Sequence, residues 1–258
     1  MKEDVPMSGG ARVAELVEAL TEALADVVRR RHVTEQEWYD ALAYLGEVGR
    51  ADELILLSDV LGLSVLVDRQ AHAGQSGTAT SVLGPFWRPA PELPNPANLA
   101  PDGTPGEPLV VRGVVRGVDG APLPGARVDV WQCDADGFYD VQVGDGSEVG
   151  LRGVLSTDAS GRYEVRTIVP PPYEVPKDGP VGRLLAALGR HAFRPAHVHF
   201  RVQAPDHGDL TTMVFFAGDP WLGEDTIGAD RPELTVEIDR SGPVATAMFD
   251  ILLVGNPG

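Results

Sequence analysis

The spacing of apolar residues predicts helices in the first part of the chain. From residue 11 to about residue 31, apolar positions recur every three or four residues, which places them on one helix face. That stripe consists of Val13, Leu16, Val17, Leu20, Leu24, Val27 and Val28. Thr34, followed by Glu37, forms a capping-box signature, so a second helix is predicted to begin there. Its apolar face carries Trp38, Leu42 and Leu45.

Two further segments complete the predicted N-terminal part. Residues 53–70 read ELILLSDVLGLSVLVDRQ and are apolar on almost every side. We therefore predict a third helix that is buried between the domains or in a dimer interface. Residues 88–108, RPAPELPNPANLAPDGTPGEP, are too rich in proline for regular structure and predict a linker that wraps around the next domain.

Beyond this linker the period of the apolar pattern changes to two. LVVRGVVRG, ARVDVWQ and GRYEVRTI alternate, and turns such as DGAPLPG separate them. AHVHFRVQA, LTTMVFF, ELTVEID and TAMFDILLV continue the pattern. Short, numerous strands without intervening helices predict a β-sandwich. The predicted fold class is α+β, with a helical part (residues 1–80), a linker (residues 81–108) and a mainly antiparallel sandwich (residues 109–258).

Composition and charge narrow the class of protein. The chain has 258 residues, 43% of them apolar, and no apolar run long enough to span a bilayer, so we expect no membrane insertion. The start, MKEDVPMSGG, lacks the basic and apolar regions of a signal peptide. A single cysteine, Cys133, fits a reducing compartment, so we expect a cytoplasmic protein. The net charge of −17 argues against a nucleic-acid partner.

Two histidines lie one residue apart in RPAHVHF, residues 194–200. Because side chains alternate along a strand, His197 and His199 share a face, with Cβ atoms roughly 6.5 Å apart. Imidazoles at that spacing can converge on one metal ion. The alternative is that both are ordinary half-buried strand histidines.

Two tyrosines occupy unusual positions. Tyr139 lies in the acidic loop QCDADGFYDVQ, and Tyr173 lies between prolines in VPPPYEVPKDGP. Proline fixes φ and so orders a loop at low entropic cost. A phenolate is a hard anionic ligand that suits Fe(III) better than Zn(II) or Cu(I). The alternative is an aromatic lid over the edge of the core. We expect Cys133 to pack rather than to bind a metal.

These residues resemble a known family. DGFYDVQ, PPPYEVPKDGPVG, GRHAFRPAHVHF and ILLSDVLGLSVLVD with LGPFW are similar to the intradiol ring-cleaving dioxygenases, the relatives of catechol 1,2-dioxygenase. The resemblance implies a homodimer formed through N-terminal helices and a β-sandwich catalytic domain. It also implies one non-haem Fe(III) per chain, bound by Tyr139, Tyr173, His197 and His199.

The resemblance implies chemistry as well. The partners would be O2 and a small aromatic diol or triol, which is cleaved between adjacent hydroxyls to a cis,cis-muconate-type diacid. Tyr173 would leave the metal and take a proton, and Arg194 would stabilise negative charge on the ring. Strand alternation alone places Arg194 on the face opposite His197, so we expect Pro195 to bend the chain there. A surface salt bridge is the alternative for Arg194.

The resemblance also implies a substrate pocket. Its residues would be Val65, Asp68, Val82, Leu83, Gly84, Pro85 and Phe86, together with Arg194. An apolar helix has little reason to bury a carboxylate without a partner, and a third ring hydroxyl would pair Asp68. That feature resembles the hydroxyquinol (benzene-1,2,4-triol) branch, whose product is maleylacetate. The alternatives for Asp68 are an exposed helix-end carboxylate or a salt bridge with Arg69.

Two departures leave the preferred phenol open between hydroxyquinol, catechol and substituted catechols. Met213 stands where catechol enzymes carry a glutamine, fourteen residues after the second histidine. The segment near Thr226 and Ile227, at the expected pocket wall, is shorter than in the hydroxyquinol pattern.

Two rival classes also carry this kind of sequence. A cupin-type metalloenzyme places HxH on a strand, but it needs a glutamate a few residues later, and HFRVQAPD has no acidic residue before Asp206. A non-catalytic sandwich-type carrier of small molecules is the second rival. Colour separates them, because tyrosinate bound to Fe(III) would make the protein wine-red.

Overall fold

The computed structural model describes residues 10–256, which form two compact units that divide between Ala51 and Asp52. The expectation of no signal peptide concerns residues that lie almost entirely outside the described part. The described residues contain no helix that is both long enough and apolar enough to cross a membrane.

The first unit contains two helices, α1 (Gly10–Arg31) and α2 (Glu35–Arg50). The predicted capping box is present, since Glu37 N donates to Thr34 Oγ1 at 3.3 Å and Thr34 N donates to Glu37 Oε2 at 2.8 Å. The two predicted helices are therefore confirmed. The apolar stripe of α1 is exposed in the single chain, at Leu16, Val17, Leu20, Leu24 and Val27.

The predicted continuous third helix is wrong. The chain forms α3 (Leu54–Val60) and α4 (Leu63–Ala71), separated at Gly62, whose φ of 73° ends the helical path. In the single chain Ile55, Leu66 and Val67 are exposed, so burial of this segment in a dimer interface stays a prediction. The buried positions are Leu56, Leu57, Asp59, Val60 and Val65.

The second unit also carries the strands. In chain order they are β1 (Ala97–Asn98), β2 (Pro108–Gly117), β3 (Arg127–Trp131), β4 (Arg152–Ser156), β5 (Arg162–Ile168), β6 (Tyr173–Glu174), β7 (Phe193–Arg194), β8 (His197–Gln203), β9 (Leu210–Phe216), β10 (Thr235–Val236), β11 (Ile238–Asp239), β12 (Ala245–Met248) and β13 (Ile251–Leu253). One helix, α5 (Pro180–Ala187), lies between β6 and β7.

Two sheets form the predicted sandwich. One has the order β10-β9-β8-β3-β4, and the other has the order β1-β5-β2-β12-β11 with β13 also on β2. The central ladders β2–β5, β3–β8 and β8–β9 are antiparallel, whereas β12 and β13 run parallel to β2. The core contains Val130 and Phe200 of the first sheet and Val111 and Val165 of the second. The α+β fold is therefore confirmed.

Three local predictions are corrected. Helix α5 interrupts the run of strands that was expected to lack helices. Strand β4 was not recognised from the sequence. Most of its residues are buried, so its apolar and polar positions do not alternate. The proline-rich segment also contains regular structure, since Ala97 and Asn98 pair in parallel with Val165 and Arg166. The domain boundaries themselves stay predictions.

The five-stranded sheet determines which residues face away from the core. On β8, Val198 and Phe200 point into the sandwich. His197 and His199 must then point to the outer face, as strand alternation requires. This outer face is covered by loops, because both histidines are at most 2% exposed.

Candidate active site

Four ring side chains meet on the outer face of the five-stranded sheet. The phenol oxygen of Tyr139 lies 3.0 Å from His199 Nε2, 3.4 Å from His197 Nε2 and 3.5 Å from the phenol oxygen of Tyr173. All four side chains are buried. The structure thus brings together all four residues that the sequence suggested as metal ligands.

Stacked rings hold two of these side chains. Trp131 is the cross-strand partner of His199, and their rings are nearly parallel with centroids 4.7 Å apart. Phe86 stacks on Tyr139 with centroids 4.6 Å apart. Phe86 was predicted to line the substrate pocket, and it contacts one of the proposed ligands directly.

A buried ion network anchors the loop that carries Tyr139. Asp140 accepts hydrogen bonds from Arg152 and Arg88, and Arg152 also donates to the carbonyl of Phe86 at 3.0 Å. Burial alone would raise the pKa of Asp140, but the hydrogen bonds from the two arginines outweigh it and lower that pKa. The network therefore ties the loop after Tyr139 to the segment that carries Phe86.

A two-residue sheet positions Tyr173 beside Arg194. Strands β6 and β7 pair antiparallel, and Tyr173 lies opposite Arg194 in their register. Gly137 packs against this pair with φ of 87°, and a Cβ atom there would lie 3.0 Å from Tyr173 Cβ. A larger residue at position 137 would therefore be strained and would crowd the phenol.

Arg194 reaches the site because the chain breaks between β7 and β8. Pro195 and Ala196 separate the two strands, so strict alternation does not apply across them. Nη1 of Arg194 lies 3.1 Å from His197 Nε2 and 3.4 Å from the Tyr173 oxygen. The interruption of the strand at Pro195 agrees with the expected bend. The alternative of a surface salt bridge is wrong, because Arg194 is buried.

Sequence reasoning missed the carboxylate that pairs with Arg194. Asp225 accepts from Nε at 3.1 Å and from Nη2 at 3.2 Å, and its own side chain is fully buried. Backbone N–H groups of Ile227 and Ala229 also donate to Asp225. A buried arginine needs a carboxylate, but Asp225 is one of 38 acidic residues and its sequence context does not distinguish it.

Met213 and Thr226 also contact this part of the site. Met213 Sδ lies 3.4 Å from Nη2 of Arg194, and Met213 is the cross-strand partner of His199. Thr226 N donates to the carbonyl of Phe193, next to Arg194. Both residues are buried, so the two departures from the family pattern lie beside the arginine.

Electrostatics keep the imidazoles neutral and the guanidinium charged. Burial, and then the charge of Arg194, lowers the pKa of His197 and His199 well below the usual value. Burial alone would lower the pKa of Arg194, but Asp225 and the phenol of Tyr173 raise it instead. The site therefore presents neutral nitrogen donors beside one fixed cation.

Both phenols are protonated in the absence of a further cation. Burial raises the pKa of Tyr139 well above its usual value, and the neighbouring Tyr173 raises it further. Burial also raises the pKa of Tyr173, although Arg194 opposes the effect. A metal cation between the two oxygens would supply the charge that stabilises the phenolates.

The three separations from the Tyr139 oxygen are close to those between ligands of a single metal ion. Ligands at about 2.0–2.1 Å from one cation, with angles of about 90–110°, lie roughly 3–3.4 Å apart. The observed separations from the Tyr139 oxygen are 3.0, 3.4 and 3.5 Å. His197 Nδ1 lies 2.7 Å from the carbonyl of Pro195, so its hydrogen is held there and Nε2 presents a lone pair to the centre.

The chemical type of the donor set is distinctive. Within residues 10–256, no group of three His, Cys, Asp or Glu side chains could hold a metal ion. Any ion at this site would need the tyrosines as ligands. Cys133 packs against Trp131 and the two tyrosines, and burial raises the pKa of its thiol to about 12, so it is a neutral packing residue as predicted.

The remaining predicted pocket residues lie at different depths. A Cβ atom on Gly84 would lie 3.7 Å from His199 Cε1, so this backbone passes close to the imidazole. Val82 packs partly against the sandwich core, whereas Leu83 and Pro85 are exposed. Val65 is buried in α4.

Asp68 has partners within the protein, and its expected role in binding a third ring hydroxyl stays a prediction. Its carboxylate accepts from Thr80 Oγ1 at 2.8 Å and lies 3.4 Å from Arg231 Nη2 and 3.2 Å from His72 Nδ1. None of these partners belongs to the tyrosine–histidine cluster. The alternative salt bridge with Arg69 is also wrong, since Arg69 donates to the carbonyl of Gly228.

A different acidic residue, Asp59 of α3, interacts electrostatically with Arg194 and Asp225. It is 4% exposed, and burial raises its pKa, while a hydrogen bond from Ser64 and the charge of Arg194 lower it. The negative charge of Asp225 also raises the pKa of Asp59. In the sequence, Asp59 and Asp68 are both carboxylates in an apolar segment that was predicted to be one helix. That prediction did not indicate that Asp59 is the more buried of the two.

Comparison with known proteins decides the family. Residues 82–255 match the family described as Dioxygenase, and residues 10–79 match the one described as Catechol dioxygenase N terminus. The chain belongs to the intradiol ring-cleaving dioxygenases. It is therefore an enzyme and an oxidoreductase, and the two rival readings, a cupin-type metalloenzyme and a non-catalytic carrier, are wrong.

Individual relatives of this dioxygenase act on several phenols. It is 45% identical over 255 residues to a 6-chlorohydroxyquinol 1,2-dioxygenase of Cupriavidus pinatubonensis, covering 96% of this chain and 91% of the relative. It is 43% identical over 237 residues to a hydroxyquinol 1,2-dioxygenase of a Rhizobium species, covering 89% and 80%. The structure of 3-chlorocatechol 1,2-dioxygenase from Rhodococcus opacus superposes with a TM-score of 0.90 at 34% identity, covering 96% of this chain and 100% of the other.

Proposed function

We propose that this dioxygenase uses O2 to cleave hydroxyquinol between its adjacent hydroxyls, which gives maleylacetate. One Fe(III) per chain would be bound by Tyr139, Tyr173, His197 and His199. The observation that carries the proposal is the convergence of these four side chains. The Tyr139 oxygen lies 3.0–3.5 Å from the Tyr173 oxygen and from Nε2 of both histidines. When bound, Fe(III) supplies a Lewis acid for the two substrate oxygens and accepts electron density from the ring.

Tyr173 is the residue we assign to proton uptake. Burial raises the pKa of its phenol, so its oxygen takes a proton readily once it is released from a cation. It is also less deeply enclosed than Tyr139, with 6% exposure against 0%. Tyr139 is anchored through the Asp140 network, which favours a permanent role for it.

Arg194 is the residue we assign to charge stabilisation. Asp225 keeps its guanidinium charged and in place, and Nη1 points between His197 and Tyr173. A fixed cation in a buried site stabilises negative charge that develops on the ring without reorganising as the reaction proceeds. Arg194 therefore acts on the reacting substrate rather than on the resting site.

Asp59 supports hydroxyquinol as the substrate. A buried carboxylate near Arg194 can accept a hydrogen bond from a third ring hydroxyl, which catechol lacks. The names of the two relatives at 43% and 45% identity agree with that choice. Asp68 was predicted for the same role, which stays untested; we prefer Asp59 because its carboxylate is the more deeply buried of the two.

The exposed apolar stripe of α1 supports a homodimer formed through the N-terminal helices. Exposed apolar patches of this kind mark protein contacts. We place the enzyme in the cytoplasm, because its one cysteine is a buried free thiol.

The test combines metal analysis, colour and product. Purified enzyme should contain one iron per chain, show a visible tyrosinate–iron band and convert hydroxyquinol to maleylacetate with uptake of O2. The double change Tyr139→Phe and Tyr173→Phe should abolish the band. Tyr163→Phe is the matched control, because Tyr163 is equally buried but lies in the sandwich core.

Stoichiometric zinc, or an unchanged band in the double variant, would overturn the metal assignment. A semialdehyde product would overturn cleavage between the hydroxyls. Turnover of catechol alone would replace hydroxyquinol by catechol as the substrate.

A further inference from the structure

The loop between β9 and β10, residues 217–234, packs against the chain just before Arg194. The Trp221 ring stacks on the Phe193 ring, with centroids 4.3 Å apart and an interplanar angle of 7°. The backbone N–H of Thr226 donates to the carbonyl of Phe193 at 3.1 Å. Strand β7 has only two residues, so these contacts add to the little support that its own sheet provides.

The same loop also holds the chain just after Arg194. Pro195 has no N–H, so Ala196 provides the backbone donor of the break between β7 and β8. Ala196 is 5% exposed, and Asp219 Oδ2 accepts its N–H at 2.9 Å. A buried backbone N–H needs a partner, and at this position the partner is a side chain rather than a neighbouring strand.

Asp219 is itself fixed by the chain that follows it. Its Oδ1 accepts from the backbone N–H of Trp221 at 2.8 Å, which is the local pattern of an Asx turn. The two carboxylate oxygens thus bind one N–H each, one inside the loop and one in the break. A carboxylate suits this arrangement because it accepts at both oxygens, whereas the side-chain amide of an asparagine accepts at only one.

The conformation of the break determines where Arg194 points. Along an unbroken strand, residues three apart face opposite sides, which would turn Arg194 away from His197. In the structure, Arg194 Nη1 lies 3.1 Å from His197 Nε2. Asp225 holds the guanidinium, but a long side chain that is held only at its tip tilts when its backbone moves. An anchor on the backbone is needed to fix the other end.

We propose that Asp219 is a positioning residue for Arg194: by binding the Ala196 N–H, it fixes the break between β7 and β8 and so places the guanidinium in the site. Asp219 acts through the backbone of Ala196 and not on the reacting atoms. The consequence for the reaction rests on the proposed function, because it assumes the role assigned there to Arg194. The anchoring of the break does not depend on that role.

The first experiment is a double-mutant cycle on kcat, expressed per bound iron, with Asp219→Asn and Arg194→Ala. Asp219→Asn should lower kcat about 10- to 100-fold and change KM less than about threefold, since a misplacement of about 1 Å can cost roughly a hundredfold in rate. In the Arg194→Ala background, the same change should lower kcat by less than about threefold, because the group that Asp219 positions is gone.

Asp158→Asn is the matched control. Asp158 also accepts two backbone N–H groups, those of Ser160 and Arg162, in the turn between β4 and β5. Both groups donate to Oδ1, so an asparagine keeps them, and kcat should stay within about threefold of wild type. If Asp219→Asn does not fold, Asp219→Ser replaces it, because a serine keeps the turn to Trp221 and loses only the bond to the break.

The second experiment compares crystal structures of the wild-type and Asp219→Asn enzymes, each as purified. With the sandwich cores superposed, the guanidinium of Arg194 should be displaced by about 1 Å or more in the variant, the scale at which catalysis suffers. The comparison needs neither substrate nor a particular metal, so it tests the anchoring even if the proposed iron site fails.

Wild-type kcat in Asp219→Asn, or an unmoved guanidinium, would overturn the proposal, since the ion pair with Asp225 would then be sufficient. So would an equal fall in kcat in both backgrounds, which a general loss of structure produces. Wild-type turnover in Arg194→Ala would instead overturn the role of Arg194 in the proposed function, and the position of the guanidinium in the crystals would still decide the anchoring.

Discussion

Arg194 and Asp225 form a two-point ion pair that is almost completely buried. Nε and Nη2 of the arginine lie 3.1 and 3.2 Å from the two carboxylate oxygens, and the side chains are 4% and 0% exposed. The backbone N–H groups of Ile227 and Ala229 donate to Asp225, so the carboxylate is fixed and in turn fixes the position of the guanidinium. Nη1 is then directed at His197 and Tyr173.

Replacing Asp225 should impair the reaction more than the binding of iron. Asp225→Asn removes the charge that orients Arg194, and a displacement of about 1 Å in a catalytic group can cost roughly a hundredfold in rate. We expect kcat to fall about 10- to 100-fold while iron content stays near that of wild type. Asp225→Glu should recover part of the loss. Steady-state kinetics with iron analysis checks this, and a variant with wild-type kcat would contradict it.

Replacing Arg194 should lower kcat more than iron content. Arg194→Ala removes a cation that acts on charge developing only as the ring reacts, so the loss should appear mainly in kcat. Removal of one such group typically costs about 10²- to 10³-fold. Arg194→Lys keeps the charge but not the two-point pair with Asp225, so an intermediate rate is expected. Wild-type turnover in Arg194→Ala would refute the assignment.

Asp59 should determine the preference between hydroxyquinol and catechol. A hydrogen bond to a charged group is worth about 1.5–3 kcal/mol, so hydroxyquinol should have a kcat/KM roughly 10- to 100-fold higher. Asp59→Ala should narrow that ratio, chiefly by weakening hydroxyquinol. Asp68→Ala is the matched control and should leave the ratio unchanged. A ratio that responds to Asp68 and not to Asp59 would restore the role first predicted for Asp68.

The Asp140 network should stabilise the enzyme at neutral pH and not in strong acid. Asp140→Asn leaves the buried Arg152 without its carboxylate, which should cost about 3–5 kcal/mol in the free energy of unfolding. Because the folded-state pKa of Asp140 is lowered from 3.8, its stabilisation is complete above pH 3.8 and is lost as the pH falls further, through the folded-state value.

Urea unfolding of wild type and Asp140→Asn at about pH 7, 5 and 3 measures this dependence. The difference between the two proteins should be equal at the two higher values and smaller at the lowest. A difference that persists unchanged at the lowest pH would show that Asp140 acts through packing rather than through its charge.

The sequence by itself determined the features that depend on neighbouring residues. The Thr34–Glu37 cap, the period-two strands and the shared face of His197 and His199 follow from local backbone geometry, and the structure contains all of them. The tyrosines were recognised from the motifs around them. Their convergence with the histidines was an implication of the family resemblance.

Only the tertiary structure decided the partners of the buried charges. Asp225 lies 31 residues from Arg194 and Arg231 lies 163 residues from Asp68, and no local pattern specifies such pairs. Asp59 is buried and Asp68 is only half-buried, although both are carboxylates in an apolar segment. Long-range pairing depends on how separate elements pack, because the burial of a charge is settled by the sum of contacts around it.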